Sequence, residues 1–112
     1  MHTASGKNGV VEFDGQLIYL RKTGSGGWAT LVNQGLQGDR YIVAKSLTAV
    51  EFRGADRSSN GFIAFDFPGK NPPRGGVFDA LADENAVVFT SDQHVEFEKL
   101  KDAIVSFLKS NI

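Results

Sequence analysis

Between Asn8 and Lys22, "NGVVEFDGQLIYLRK", apolar and polar positions alternate in two short runs separated by Asp14-Gly15. A side-chain period of two puts Val11 and Phe13 on one face of the first run, and Ile18 and Leu20 on one face of the second. The dipeptide between them suits a type I′ turn, in which both central residues take positive φ. A β-hairpin is the prediction. Further along, "RYIVAKSLTAVEFRG" (40–54) reads as two strands joined by a short turn at Lys45-Ser46, with Ile42 before it and Leu47, Val50 and Phe52 after it. "FIAFDF" (62–67) follows the turn-rich "ADRSSNG" and alternates Ile63, Phe65 and Phe67 against Phe62, Ala64 and Asp66, as a half-buried strand does. "AVVFT" (86–90) is the last predicted strand.

The period then changes. Phe97, Leu100, Ile104, Phe107 and Leu108 form a stripe at helical spacing, with Glu96, Glu98, Lys99, Lys101 and Asp102 mostly on the other faces. An amphipathic helix over 92–110 follows, with Thr90, Ser91 and Asp92 as competent N-caps and Thr90 and Gln93 at capping-box spacing. Two segments carry no period. Residues 23–38, glycine-rich around Trp28, Leu31 and Val32, read as a long connection with at most a helical turn at 28–32. Residues 68–76 hold all three prolines and so form a loop. Residues 1–7 read as a flexible terminus. The expected order is about six or seven short strands and one C-terminal helix, in a single domain spanning 1–112.

Length and composition support this picture. A chain of 112 residues buries roughly two thirds of its unfolded surface. Thirteen glycines and nine phenylalanines spread along it favour short strands and tight turns over a helical bundle. With no cysteine, disulfides and thiolate metal sites are excluded, and a cytoplasmic location is the simplest expectation. The formal charge of −1 gives no global attraction for nucleic acid or anionic lipid. No apolar run approaches the ~20 residues that span a bilayer. The first residues lack the apolar centre of a signal peptide. A soluble, unanchored domain is expected.

A β-meander followed by one amphipathic helix is the element order of the pleckstrin-homology-like (PH-like) barrel, two packed antiparallel sheets with the helix plugging one open end. The segments "SGKNGVVEFDG", "LTAVEFRGA", "NGFIAFDF", "GGVFDALADENAVVFT" and "VEFEKLKDAIVSFL" resemble, in sequence and order, a family of short bacterial domains of unknown function assigned that fold. The resemblance runs from about Ser5 to Leu108. It implies the PH-like fold and a bacterial or phage origin, and no activity. Members often carry a short helical domain downstream, which is absent before the sequence ends at Ile112.

Candidate chemistry is sparse. Asp83 and Glu84 are adjacent, so in a strand they point to opposite faces and do not converge on one proton or ion; a solvated turn is the better reading. His94 at the helix start and His2 near the terminus are the only histidines, and neither HxxxH nor HxH spacing occurs. A surface position is expected for His94. The serines match no nucleophile elbow, and "SGK" at 5–7 lacks the rest of a phosphate loop. No catalytic, cofactor or metal site is therefore expected, and the chain reads as non-enzymatic.

What is left is recognition. Arg21 and Lys22 at the end of the second strand, with Arg40, are the basic residues best placed to meet a partner. PH domains that bind phosphoinositides carry several basic residues on both strands of the first hairpin, whereas Glu12 and Asp14 occupy it here; lipid binding is disfavoured. Trp28 is the other candidate contact. Single-stranded nucleic acid is disfavoured too, because the phenylalanines face inward by alternation. The first functional reading is a protein-interaction or scaffolding module, self-associating through a free sheet edge. The alternative is a small-ligand or enzymatic site in loops 23–38 and 68–76.

Overall fold

A computed structural model describes residues 1–22, 39–68 and 85–111. Seven strands and one helix follow in order: β1 His2–Ser5, β2 Gly9–Phe13, β3 Leu17–Lys22, β4 Asp39–Val43, β5 Ala49–Arg53, β6 Gly61–Asp66, β7 Ala86–Phe89 and α1 His94–Ser110. They form a four-stranded antiparallel sheet, β1-β2-β3-β4, and a three-stranded one, β5-β6-β7. The mainly β architecture with one C-terminal helix is as the periodicity predicts. The two sheets do not close into a barrel: among the described residues no strand of one pairs with a strand of the other. Instead the 3-10 turn Ala44–Ser46 carries the chain from the first sheet to the second.

The β2–β3 hairpin forms, with Phe13 opposite Ile18, but its turn differs from the expected one. Gly15 has φ 100° and no other described residue has positive φ. The central pair is therefore Gly15-Gln16, and the signs are those of a type II′ turn, which needs glycine first. Asp14 sits one place earlier, where its Oδ1 accepts from the N–H groups of Gln16 and Leu17, each at 2.8 Å. These two bonds, Leu17 first, hold its carboxyl below the usual carboxylate value.

Residues 2–5, expected to be flexible, are a strand instead, because β2 supplies a complete antiparallel partner from His2↔Phe13 to Ser5↔Val10. Ala4, its only buried side chain, sits in the core. The β1–β2 turn then meets β7. The Lys7 N–H donates to the Val88 carbonyl at 2.8 Å, and buried Asn8 accepts from the Val88 N–H, also at 2.8 Å. Lys22 adds a second tie between the sheets by donating to the Ala86 carbonyl at 2.6 Å.

The main core lies between the sheets and α1. Val11, Phe13, Ile18, Leu20 and Ile42 come from the first sheet, Ile63, Phe65, Val87 and Phe89 from the second, and Phe97, Leu100 and Ile104 from the helix. Burying each large side chain contributes about 1.5–3 kcal/mol. Phe89 and Phe97 stack nearly parallel, with centroids 4.5 Å apart. Strand β6 is not half-buried, as alternation alone predicts. Its other face holds a second buried cluster, Phe62 and Ala64 with Ala86 and Val88, so both faces are inside. The helix begins as expected. Thr90 and Gln93 make the reciprocal capping box, with the Thr90 N–H donating to Gln93 Oε1 at 3.0 Å ahead of the 3-10 turn Ser91–Gln93 and α1.

Candidate functional site

Register decides which side chains the first sheet shows to solvent. Ile18, Leu20 and Ile42 point to the core, so Leu17, Tyr19 and Arg21 share the outer face with their partners Val43, Tyr41 and Asp39. Three apolar or aromatic residues on that face are well exposed: Tyr41 at 65%, Val43 at 53% and Leu17 at 39%. Tyr19 and Tyr41 lie opposite each other with ring centroids 5.0 Å apart. Burial, then the neighbouring Asp39 carboxylate, raises the Tyr19 phenol above its ordinary value. Beside the tyrosines, Arg21 and Asp39 make a solvated ion pair at 3.9 Å. Such a pair adds at most about 1 kcal/mol to stability. The result is an aromatic and aliphatic patch bordered by the Arg21–Asp39 pair and by Glu12, which lies opposite Tyr19 on β2.

The basic residues singled out in the sequence do not converge. Arg21 lies on this outer face and is exposed. Lys22, its chain neighbour, points the other way and donates to Ala86, which gives it a structural task. Arg40 is opposite Leu20 on the inward side of β4 and is half-buried. Trp28 lies outside the described residues, as do the connection 23–38, loop residues 69–76 and the Asp83-Glu84 pair.

His94 is not simply on the surface. Its Nδ1 accepts from the Ala55 N–H at 3.1 Å and its Nε2 faces Glu98 Oε2 at 3.3 Å. Nδ1 is thus taken by the β5–β6 connection, and Nε2 is the ring nitrogen left to meet Glu98. The ring packs 6.0 Å from both Phe52 and Phe89. It thus ties the helix start to the β5–β6 connection, and Gly54 is needed there because a Cβ would lie 2.9 Å from His94 Cε1. That connection is held in turn by Asp56, whose Oδ1 accepts from the N–H and hydroxyl groups of Ser58 and Ser59. These bonds, led by the Ser58 N–H, lower the Asp56 carboxyl below its ordinary value.

A shallow cleft of about 420 Å³ runs between the start of the chain, the β2–β3 turn and the last turns of α1, lined by Met1, Phe13, Ala103 and Phe107 among others. Three of its polar side chains are turned to local partners. Asp14 serves its own turn, the Ser110 hydroxyl donates to Ser106 O at 3.1 Å, and the Asn111 amide donates to Phe107 O at 2.7 Å. Among the described residues no three His, Cys, Asp or Glu side chains are grouped to hold a metal ion. No helix among them is long and apolar enough to cross a membrane.

The outer-face residues Leu17, Tyr19, Tyr41 and Val43 were readable in principle. Alternation about Ile18, Leu20 and Ile42 sends them outward, and tyrosine on an outward position is the signal.

These features define a two-sheet β domain with a helix packed across its core, carrying an exposed aromatic patch on one sheet. The chain belongs to the family described as Domain of unknown function (DUF4429), whose model matches residues 11–105. No curated protein and no solved structure matches it.

Proposed function

We propose that the domain is a non-catalytic protein-interaction module and that its contact surface is the outer face of the first sheet. The observation that carries this reading is the grouping of Tyr41, Val43 and Leu17, all exposed, around the Tyr19–Tyr41 ring pair. Tyrosine is enriched at recognition surfaces because it combines a large apolar body with a polar tip at small entropic cost. A contiguous apolar patch on an otherwise charged surface marks an interaction site more often than a stray exposed side chain does. The two sheets and packed C-terminal helix support kinship with PH-like domains, which many proteins use as docking platforms.

The test is site-specific photo-crosslinking. A photoreactive phenylalanine analogue replaces Tyr41, and crosslinking is run on purified protein and in a lysate of the host. A discrete crosslinked protein, lost when Val43→Glu is added, is the expected result. Absence of any discrete product under both conditions overturns the reading.

A further inference from the structure

Resting on that reading, the hydrogen-bond phase of β4 identifies the kind of partner. The Ala44 N–H donates to the Gln16 carbonyl at 2.9 Å, extending the Leu17↔Val43 register by one pair. Bonded pairs alternate along an antiparallel ladder, so Ile42 and Arg40 bond to β3, and the peptide groups of Val43, Tyr41 and Asp39 turn away from it. The other side of β3 agrees. The Asp14 N–H donates to the Leu17 carbonyl at 3.3 Å, which commits Leu17, Tyr19 and Arg21 to β2 and leaves Ile18 and Leu20 for β4. Of the exposed patch, Tyr41 and Val43 thus carry outward peptide groups, with Asp39 beside them on the same strand.

The sheet edges are treated differently. The β7 edge is met by Lys7 and Asn8, β1 packs against α1, and β5 ends the second sheet with no further strand among the described residues but without an exposed aromatic patch. Beyond β4 no strand is paired among the described residues. Its five residues contain no proline, and its two charged residues are Asp39, held in the solvated pair with Arg21, and Arg40 on the inward side. The Val43 carbonyl closes the 3-10 turn Ala44–Ser46 and also accepts from the Ser46 hydroxyl at 2.7 Å, so at this residue the N–H is the group offered to the edge.

We propose that the occupant of this edge is a second copy of the chain, joined by antiparallel β4–β4 pairing about a two-fold axis at Tyr41. Outward residues must face outward residues, so the register moves only in steps that keep this phase. Centred on Tyr41, the pairing sets Tyr41 opposite its copy and Asp39 opposite Val43 in both halves. A row of four tyrosines then crosses the junction. Centring on Arg40 instead opposes two guanidinium groups, and centring on Ile42 runs Asp39 and Arg40 into the 3-10 turn where the strand has ended. No like charges are opposed in this register, since each Asp39 keeps its own Arg21 at 3.9 Å and faces Val43 across the junction. A five-residue junction belongs to the weak, concentration-dependent class of interfaces.

Sedimentation velocity from about 10 μM to about 1 mM, the range of weak interfaces, tests this. The mass rises from 12.1 kDa toward twice that value. Val43→Glu, which opposes two carboxylates at each end of the junction, weakens association at least about tenfold. Val43→Lys, which opposes a cation to Asp39, retains it. Tyr41→Pro removes an outward N–H without touching the β3 ladder and also gives monomers. Should the proline variant misfold by circular dichroism, the Val43 pair decides alone. A wild-type monomer throughout the range overturns self-pairing. So do equal effects of the glutamate and lysine variants. A crosslink from position 41 to another protein, with no self-association, removes this inference and keeps the interaction reading.

Discussion

Phe97→Ala is the perturbation that most severely tests the packing of α1. The Phe97 ring is fully buried, stacks on Phe89 at 4.5 Å with 5° between planes, and reaches the β1–β2 turn, where a Cβ at Gly6 would lie 3.0 Å from its tip. It therefore joins the helix to β7 and to the turn that ties the sheets together. Truncating a buried phenylalanine costs about 3–5 kcal/mol through lost transfer energy and an unfilled cavity. A domain of this length has roughly 6–17 kcal/mol in total at 0.05–0.15 kcal/mol per residue. The variant folds with a large part of its stability gone, and its Tm falls by about 12–25 °C at 4–5 °C per kcal/mol. Urea denaturation followed by circular dichroism measures the loss, with Phe107→Ala and Val95→Ala as references on the same helix. Phe107 is half-buried, with its ring 5.8 Å edge-on from Phe13, so its truncation costs less. Val95 is 58% exposed, and its truncation changes stability by less than about 0.5 kcal/mol. A Phe97→Ala loss below about 1 kcal/mol, or one equal to that of Val95→Ala, refutes the role assigned to the helix.

Other consequences follow from single contacts. Gly61→Ala puts a Cβ against the Arg53 carbonyl and 2.8 Å from the Ala55 nitrogen, both backbone, so expression as folded protein drops sharply; a normal melt contradicts the β5–β6 geometry. His94→Ala leaves the Ala55 N–H without its acceptor and costs about 1–2 kcal/mol in urea unfolding; an unchanged midpoint argues against the helix-to-turn tie. The Asp56 carboxyl is held below its ordinary value of 3.8, so its contribution is present above that pH and disappears as pH falls through the lowered value. Asp56→Ala should therefore melt below wild type at pH 7 and converge with it in acid, whereas a constant difference across pH would contradict the turn described.

The periodic parts of the chain were legible because their periods arise from the burial that folds them. Val11, Phe13, Ile18 and Leu20 alternate because one face of the first sheet meets the core, and Phe97, Leu100 and Ile104 recur at helical spacing for the same reason. Strand β1 was not legible. "HTAS" has one buried side chain, and its conformation comes from pairing with β2, a non-local cause that leaves little local trace. The turn type was misread because Asp14 acts through its side chain, capping two N–H groups from outside the central pair. Strand β6 was read as half-buried because alternation within one strand does not show that Phe62 and Ala64 join Ala86 and Val88 of β7 in a second buried cluster. His94 looked like a solvated helix start, since its partner Ala55 is 39 residues away in the chain. Among the proposed contacts, charge drew notice to Arg21, Lys22 and Arg40. The register then sent Lys22 and Arg40 inward and left Tyr41 and Val43 as the larger exposed surface.

Residue-resolved amide exchange at two protein concentrations tests the proposed β4–β4 pairing, on an edge that no strand among the described residues covers. In dilute solution the Ile42 and Arg40 amides are protected by β3, and the Tyr41 amide exchanges fast. In concentrated solution the Tyr41 and Val43 amides slow while Ile42 is unchanged. A Tyr41 amide as protected as that of Ile42 in dilute solution, or one indifferent to concentration, contradicts it.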